Sequence, residues 1–495
     1  MIARRTFLSL PLVAAATVGV PLRTMAGPRD RSVVLCLSLR PESLDPTSVA
    51  AAVVGEVVHG NVLEGLTRIE ENGKVVPLLA LGWEVSGDQL RYRFGLRPDV
   101  RFHDGAPLDA AVVAYSLERA KSLGHANKLA ATLANIQTIR TPDARTVELV
   151  LRHADPFLPF RLGESPAVIL HPDSAGGASQ APVGTGPYRL SRRPDGDIDL
   201  RRWDGFRDPE AVRVHTATFR FIPDPEQQIQ AILDGRIDLL FRAATTSVDR
   251  FDASSNYEVL AGSSSGKGMV AINHRRAPLG DARVRRALTH AIDREAFIRE
   301  VLHGRGRGIG SHFVPTDPDY VNLTAVHPYD PGRARALLSE AGVRTPLQLD
   351  LTLPPTPYAL AGGPVIARDL QAVGIQVRLV EVSWAEWLSG VFRGQFDLSL
   401  ILHVEPLDYD IYTRPDYYFG YDSPAFRALV EQHAASTNPR VQSRLFRRIQ
   451  RHLADDAVNV WLFSPEIISV VRKGLNGVPM DYPIFAHDVG AMYWG

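Results

Sequence analysis

An α/β fold is predicted for this 495-residue chain, and three observations predict it. Short apolar runs of strand length alternate with amphipathic patterns of helical period. Several helical patterns carry their own start and stop residues, an Asp or Asp-Pro before the first turn and a Gly after the last. Clusters of Gly, Pro, Asp and Ser separate the runs, as turns require.

The elements follow in order. Ser32-Val33-Val34-Leu35-Cys36-Leu37-Ser38-Leu39 is a continuous apolar run that reads as a buried strand, with Cys36 a core thiol. Asp104-Gly105 is a tight-turn pair, and Pro107 stands just ahead of a helical pattern. His171 to Pro182, rich in Gly, Ala and Ser, is a candidate mobile surface loop. Gly184, Gly186 and Pro187 turn the backbone before a strand-like Tyr188-Arg189-Leu190. Asp224-Pro225 opens a helix through Ile229, Ile232 and Leu233 that Gly235 ends, and Ile237 to Phe241 is a strand. Asp281 to His303 reads as one helix, capped by Asp281 and stopped by Gly304, with Val284, Ala287, Leu288, Ala291, Ile292, Ile298, Val301 and Leu302 on one face. Asp330-Pro331 starts the next helix and Gly342 ends it. Trp384 and Trp387 lie three apart on one helix face and are expected to pack in the core. Phe396, Leu398, Leu400 and Leu402 alternate with Asp397 and Ser399 as a half-buried strand.

Composition narrows the compartment and the partners. Residues 1–26 read as an export leader: Arg4-Arg5-Thr6-Phe7-Leu8, an apolar run to about Val20, and Thr24-Met25-Ala26 as a cleavage site. The run is shorter than the ~20 residues a membrane span needs. The paired arginines fit a twin-arginine leader, or a general secretory leader whose basic region holds two arginines. Without these residues the net charge is −3. No basic stripe points to nucleic acid. Cys36 is the only cysteine, so no intramolecular disulfide can form. A soluble periplasmic protein, monomeric, is expected.

The candidate catalytic motifs are weak. Gly262-Ser263-Ser264-Ser265-Gly266 satisfies G-x-S-x-G, but strand-like residues flank it on both sides, where a nucleophile elbow needs a following helix. Gly304 to Gly310 is glycine-rich, yet follows a helix and lacks the Gly-Lys-Ser/Thr ending of a phosphate loop, so it reads as a helix terminus and a flexible connection. The fifteen histidines form no metal-ligand spacing. His403 and Glu405 fall on one side of a strand, but two groups do not make a metal site. No enzyme activity, cofactor or metal is expected. The richest segment is His403 to Asp422, with His403, Glu405, Asp408, Tyr409, Asp410, Tyr412, Arg414 and Tyr417. It begins at the end of a strand, where open α/β sheets place ligand contacts.

Several segments together carry a family resemblance: Arg101 to Leu108, Val183 to Tyr188, Ala282 to Arg294, Tyr329-Asp330-Pro331 with its helix, Gly374-Ile375-Gln376-Val377, Trp384, and Gln395-Phe396-Asp397-Leu398. In this order the chain resembles the family 5 extracytoplasmic solute-binding proteins of ABC importers, the oligopeptide-, dipeptide- and nickel-binding type. The resemblance implies a two-lobed periplasmic-binding-protein fold (type II) with an extra inserted domain and the ligand cleft between the lobes. It implies lobe I from 27–60, 180–262 and 470–495, an inserted domain over 61–179, and a second lobe over 263–469. It implies a short peptide or amine-bearing solute as ligand and membrane permease subunits as partners. A metal chelate, an oligosaccharide, an opine-like compound or a sensor role are the alternatives. In peptide-binding relatives an aspartate of the His403–Asp422 region holds the ligand ammonium. Here Glu405-Pro406-Leu407-Asp408 replaces their Trp-x-x-Asp, so Glu405 and Asp408 are both candidates. Arg414 would hold a ligand carboxylate or pair with a neighbouring acid. The loop Pro46 to Ala51, with Ala50 and Ala51, would approach the ligand with its backbone.

Overall fold

The computed structural model describes residues 31–49, 51–122, 130–192, 196–251 and 254–495. The leader region and Ala50 lie outside the described residues. Among the described residues, no helix is long and apolar enough to cross a membrane.

Two large sheets organise the chain. The first has seven strands, with Ser32–Leu37 in its interior between Leu239–Phe241 and Thr216–Phe221, parallel to both. Position inside the sheet explains why this strand is apolar on both faces, and Cys36 is fully buried there. Burial pushes the Cys36 thiol up to about 12, which keeps it protonated and unreactive. The second sheet has six strands, including Lys267–Ile272, Leu347–Leu353, Leu398–His403 and Val460–Pro465. A separate four-stranded antiparallel sheet lies within residues 80–151 and packs against the helix Ala110–Ser122.

Two segments cross between the large sheets. Gly262 to Gly266 joins Tyr257–Gly262 of the seven-stranded sheet to Lys267–Ile272 of the six-stranded one. Glu466 joins Val460–Pro465 to Ile467–Arg472 in the reverse direction. The boundary expected after residue 469 therefore moves to Glu466, because Ile467–Arg472 pairs with Tyr257–Gly262 and Leu239–Phe241. The G-x-S-x-G stretch is thus an interlobe crossing between two strands. A Cβ on Gly262 would stand 1.7 Å from the Met480 carbonyl oxygen, so only glycine fits there.

The two turn segments singled out in the sequence meet. His103 N donates to the Gly184 carbonyl at 2.9 Å, and His103 Nε2 lies 2.9 Å from the Gly186 carbonyl. Cβ atoms on Gly184 and Gly186 would come within 2.0 Å of Val62 O and 2.3 Å of Asn61 O. These glycines let the chain returning from the inserted domain press against the Asn61–Val62 backbone. Thr185 donates to Glu64 and Tyr188 to the Val214 carbonyl, both as buried structural contacts.

Five local expectations are refined or corrected. The helix predicted over Asp281–His303 is two helices, Ala282–Ala291 and Arg294–Val301. Ile292 is extended, and the Asp293 carboxylate accepts from Ala296 N, so a second cap restarts the helix. The strand Leu398–His403 is buried on both faces, not half-buried. Trp387 is core, but Trp384 is 45% exposed. Of the glycine-rich connection, Gly306–Gly308 is a short strand pairing with Val460–Pro465. In the His171–Pro182 segment, Pro172–Gly177 forms a 3-10 turn.

Candidate ligand site between the lobes

The floor of the interlobe cleft is built by local turns. Pro46, Val49 and Ala51 lead into the helix Ala52–Val58, whose Gly55 faces the cleft. A Cβ at Gly55 would lie 2.5 Å from Ser165 Oγ and 2.7 Å from Phe485 O, so glycine lets three segments converge. Glu164, Ser165 and Pro166 come from the segment after the four-stranded sheet, and Ile484 and Phe485 from the C-terminal segment. Val404, Glu405 and Pro406 close the far side, just past the end of Leu398–His403. The cavity volume is about 210 Å³, below the ~300–1,000 Å³ usual for ligand pockets.

Glu164 and Glu405 are the charged residues of this lining, and no basic side chain joins them. Burial pushes the Glu164 carboxyl up to about 7; Arg161 opposes the rise and Asp155 adds to it. Glu405 is exposed, and its carboxylate accepts from Val404 N at 3.2 Å.

Behind this wall lies a buried charge cluster. Asp408 Oδ1 is 3.0 Å from Lys267 Nζ and 2.7 Å from His312 Nε2, and its Oδ2 is 3.4 Å from His403 Nδ1. Lys267 is 1% exposed. Burial alone would raise the Asp408 carboxyl, but the Lys267 charge and the bonds from His312 and His403 hold it well below the usual range. Burial depresses His312 to about 4, so its imidazole is neutral. Asp408 therefore already has its cation within the chain. Ligating atoms of His312, His403 and Asp408 lie within 4.8 Å of one another. The Lys267 ammonium beside the same carboxylate would repel a metal ion.

Of the sequence-predicted residues, the structure brings Ala51 and Glu405 together in the cleft. His403 and Asp408 sit behind it. Tyr409 is core, packed against Phe157, Phe313 and Phe446. Tyr412 is fully buried; its hydroxyl lies 3.0 Å from His312 Nδ1 and accepts from Asn459 at 3.1 Å. Neither tyrosine lines the cavity. Arg414 is exposed, 3.7 Å from Asp410 and stacked over Tyr417, and neither Arg414 nor Tyr417 lines this cavity. Glu164 and Phe485 were missed, since no motif marks either.

Residues 74–423 match the model of the bacterial extracellular solute-binding proteins, family 5. The chain belongs to this family. Among relatives of this family 5 protein, the di/tripeptide-binding protein 1 of Pseudomonas aeruginosa is 26% identical, over 79% of this chain and 78% of that one. The dipeptide-binding protein of Escherichia coli is 24% identical, over 94% and 95%. Among solved structures, HbpA2 from Haemophilus parasuis superposes with a TM-score of 0.83 at 20% identity, covering 94% of this chain and all of that one. AgaA in complex with agropinic acid gives 0.74 at 21% identity, covering 94% and 99%. These confirm the α/β, two-lobed binding-protein fold. The protein is a solute-binding component of ABC import, and the relatives named above are binding proteins.

Proposed function

We propose that this family 5 binding protein encloses a small solute bearing a positively charged amine, short peptides included, in the cleft of Ala51, Glu164, Glu405 and Phe485. The observation that carries the reading is the pair of carboxylates in a lining without basic side chains. The Glu164 carboxylate, withdrawn from solvent, is costly to charge, and a cationic ligand held between it and the exposed Glu405 offsets that cost. The dipeptide-binding relatives fit the same chemistry. Closing the lobes on the ligand selects the state that docks on the membrane permease. Glu405 and Glu164, rather than the internally paired Asp408, receive the ammonium. The protein acts in the periplasm without catalysis.

The test is a thermal-shift screen of the chain from Gly27 against L-alanyl-L-alanine, its N-acetyl derivative, simple amines, sugars and nickel chelates. A ligand at 100 times its Kd adds ~2.7 kcal/mol, an easily read shift. A shift by the free dipeptide and none by the N-acetylated one is expected. Hits confined to sugars or chelates would discard the amine reading, and a response to none would discard the cleft as a solute site.

Export supplies a second check. Replacing Arg4 and Arg5 by lysines is expected to leave the chain in the cytoplasm with its leader uncleaved, as a twin-arginine leader requires. Normal secretion of that variant assigns the leader to the general route.

A further inference from the structure

The rim Val404–Pro406 lies just beyond the end of a strand pairing. Lys267 pairs with His403, and the register stops there. The next two carbonyls on the rim have no strand beside them. Side chains of the crossing and of the strand residue just after it take that place: Ser265 Oγ donates to the Val404 carbonyl at 2.6 Å, and Lys267 Nζ donates to the Glu405 carbonyl. The same ammonium is fixed by Asp408 at 3.0 Å, from the far side of the loop.

The crossing that carries Ser265 and leads into Lys267 is itself fixed to the seven-stranded lobe. Ser263 N donates to Asp481 Oδ1 at 2.6 Å, and Tyr482 N donates to the Ser263 carbonyl at 2.8 Å. The Ser264 carbonyl accepts from Thr316 Oγ1 at 3.3 Å, on the other lobe. A segment of five residues thus holds the C-terminal segment on one side and the ligand-facing rim on the other. Any rotation of the lobes must turn about this segment, since it is one of the two places where the chain passes between the sheets.

We infer that Ser265 and Lys267 are positioning residues that tie the ligand-facing rim to the interlobe crossing, so that rotation of the lobes sets where the Glu405 carboxylate stands. The inference rests on the cleft being the solute site. Neither side chain touches the solute in this arrangement. Lys267 acts as an internal ammonium that replaces backbone pairing, and Ser265 as a second tether of the neighbouring carbonyl. Rim placement follows the hinge through Ser265, which lies on the crossing, while Lys267 holds the rim from the strand residue just after it.

Amide hydrogen exchange of the full chain without ligand tests this. In Ser265→Ala and in Lys267→Ala, the Val404 amide, which donates to the Glu405 carboxylate at 3.2 Å, is expected to exchange tenfold or more faster, and in Ser265→Ala, which strands no charge, the Met269–Ile272 ladder keeps its rate. Unchanged rim exchange in Ser265→Ala would overturn the inference, as would a rise spread evenly through both lobes. If Lys267→Ala does not fold, Ser265→Ala decides alone. The measurement needs no solute. A screen hit with an unmoved rim therefore sinks the tether alone, and a loosened rim with no hit sinks the solute reading alone.

Discussion

Asp408→Ala is expected to cost about 3–5 kcal/mol of folding stability, the usual loss when one member of a buried ion pair is removed. The substitution leaves Lys267, 1% exposed, as a charge without its carboxylate. It also removes the acceptor of His312 Nε2. Most of the loss is the penalty of the stranded ammonium, not the net worth of the pair. The double variant Lys267→Met with Asp408→Leu should therefore recover most of it, because apolar replacements of a buried pair are often neutral. Urea unfolding of the single and double variants reads both values. A single-variant loss under about 1 kcal/mol, the ordinary scale of an exposed pair, would show that Lys267 escapes to solvent and that the cluster is not closed.

Glu405→Gln is expected to weaken the amine-bearing solute by roughly 10–100-fold, since a hydrogen bond to a charged group is worth about 1.5–3 kcal/mol. Calorimetric titration with the dipeptide from the screen would read it, and an unchanged Kd would move the ammonium elsewhere. Glu164 adds a pH signature. With its carboxyl pushed up to about 7, it takes a proton as pH falls below that value, and the cleft loses one negative charge. Affinity for a cation should therefore fall from pH 8 to pH 6, and Glu164→Gln should flatten that dependence. The stability effect has the opposite direction. The folded chain holds this proton more tightly than the unfolded chain, so the group favours folding below the ordinary carboxylate range. That contribution fades as pH rises through about 7.

Much of the architecture was legible because it is written in local chemistry. Asp224, Asp281 and Asp330 cap helices where the sequence places caps. Asp293 is the same residue type in the same role, but the apolar face continues smoothly across it, so the pattern does not mark it. Leu398–His403 was read as half-buried because Asp397 and Ser399 interrupt its apolar residues. Ser399 is instead fully buried, donating to the Thr352 carbonyl at 2.9 Å and accepting from Trp387 Nε1 at 3.1 Å. A hydroxyl with both needs met can occupy a core strand.

The candidate site was less legible. The aromatic density of His403–Asp422 signalled something real, but most of it is core around Tyr412 and Phe419, whose rings stack with centroids 5.2 Å apart. A need for a cation beside Asp408 could be read from burial cost alone. That Lys267 meets it, 141 positions earlier, follows only from the register that sets Lys267 opposite His403. Glu164 and Phe485 reach the cleft from segments far apart in sequence, and spacing cannot announce such a meeting.

The strand order also governs how the protein emerges from synthesis. Val460–Pro465 lies inside the six-stranded sheet, between Gly306–Gly308 and Lys267–Ile272, and Ile467–Arg472 lies inside the seven-stranded sheet. Neither sheet can close until the ribosome has passed Arg472. The four-stranded sheet, by contrast, has all its strands once Leu151 is made. At ordinary elongation rates of ~5–20 residues per second, the nascent chain carries one finished unit and two open sheets for on the order of tens of seconds. During that interval its unpaired strand edges are exposed, and its last strands decide when that interval ends.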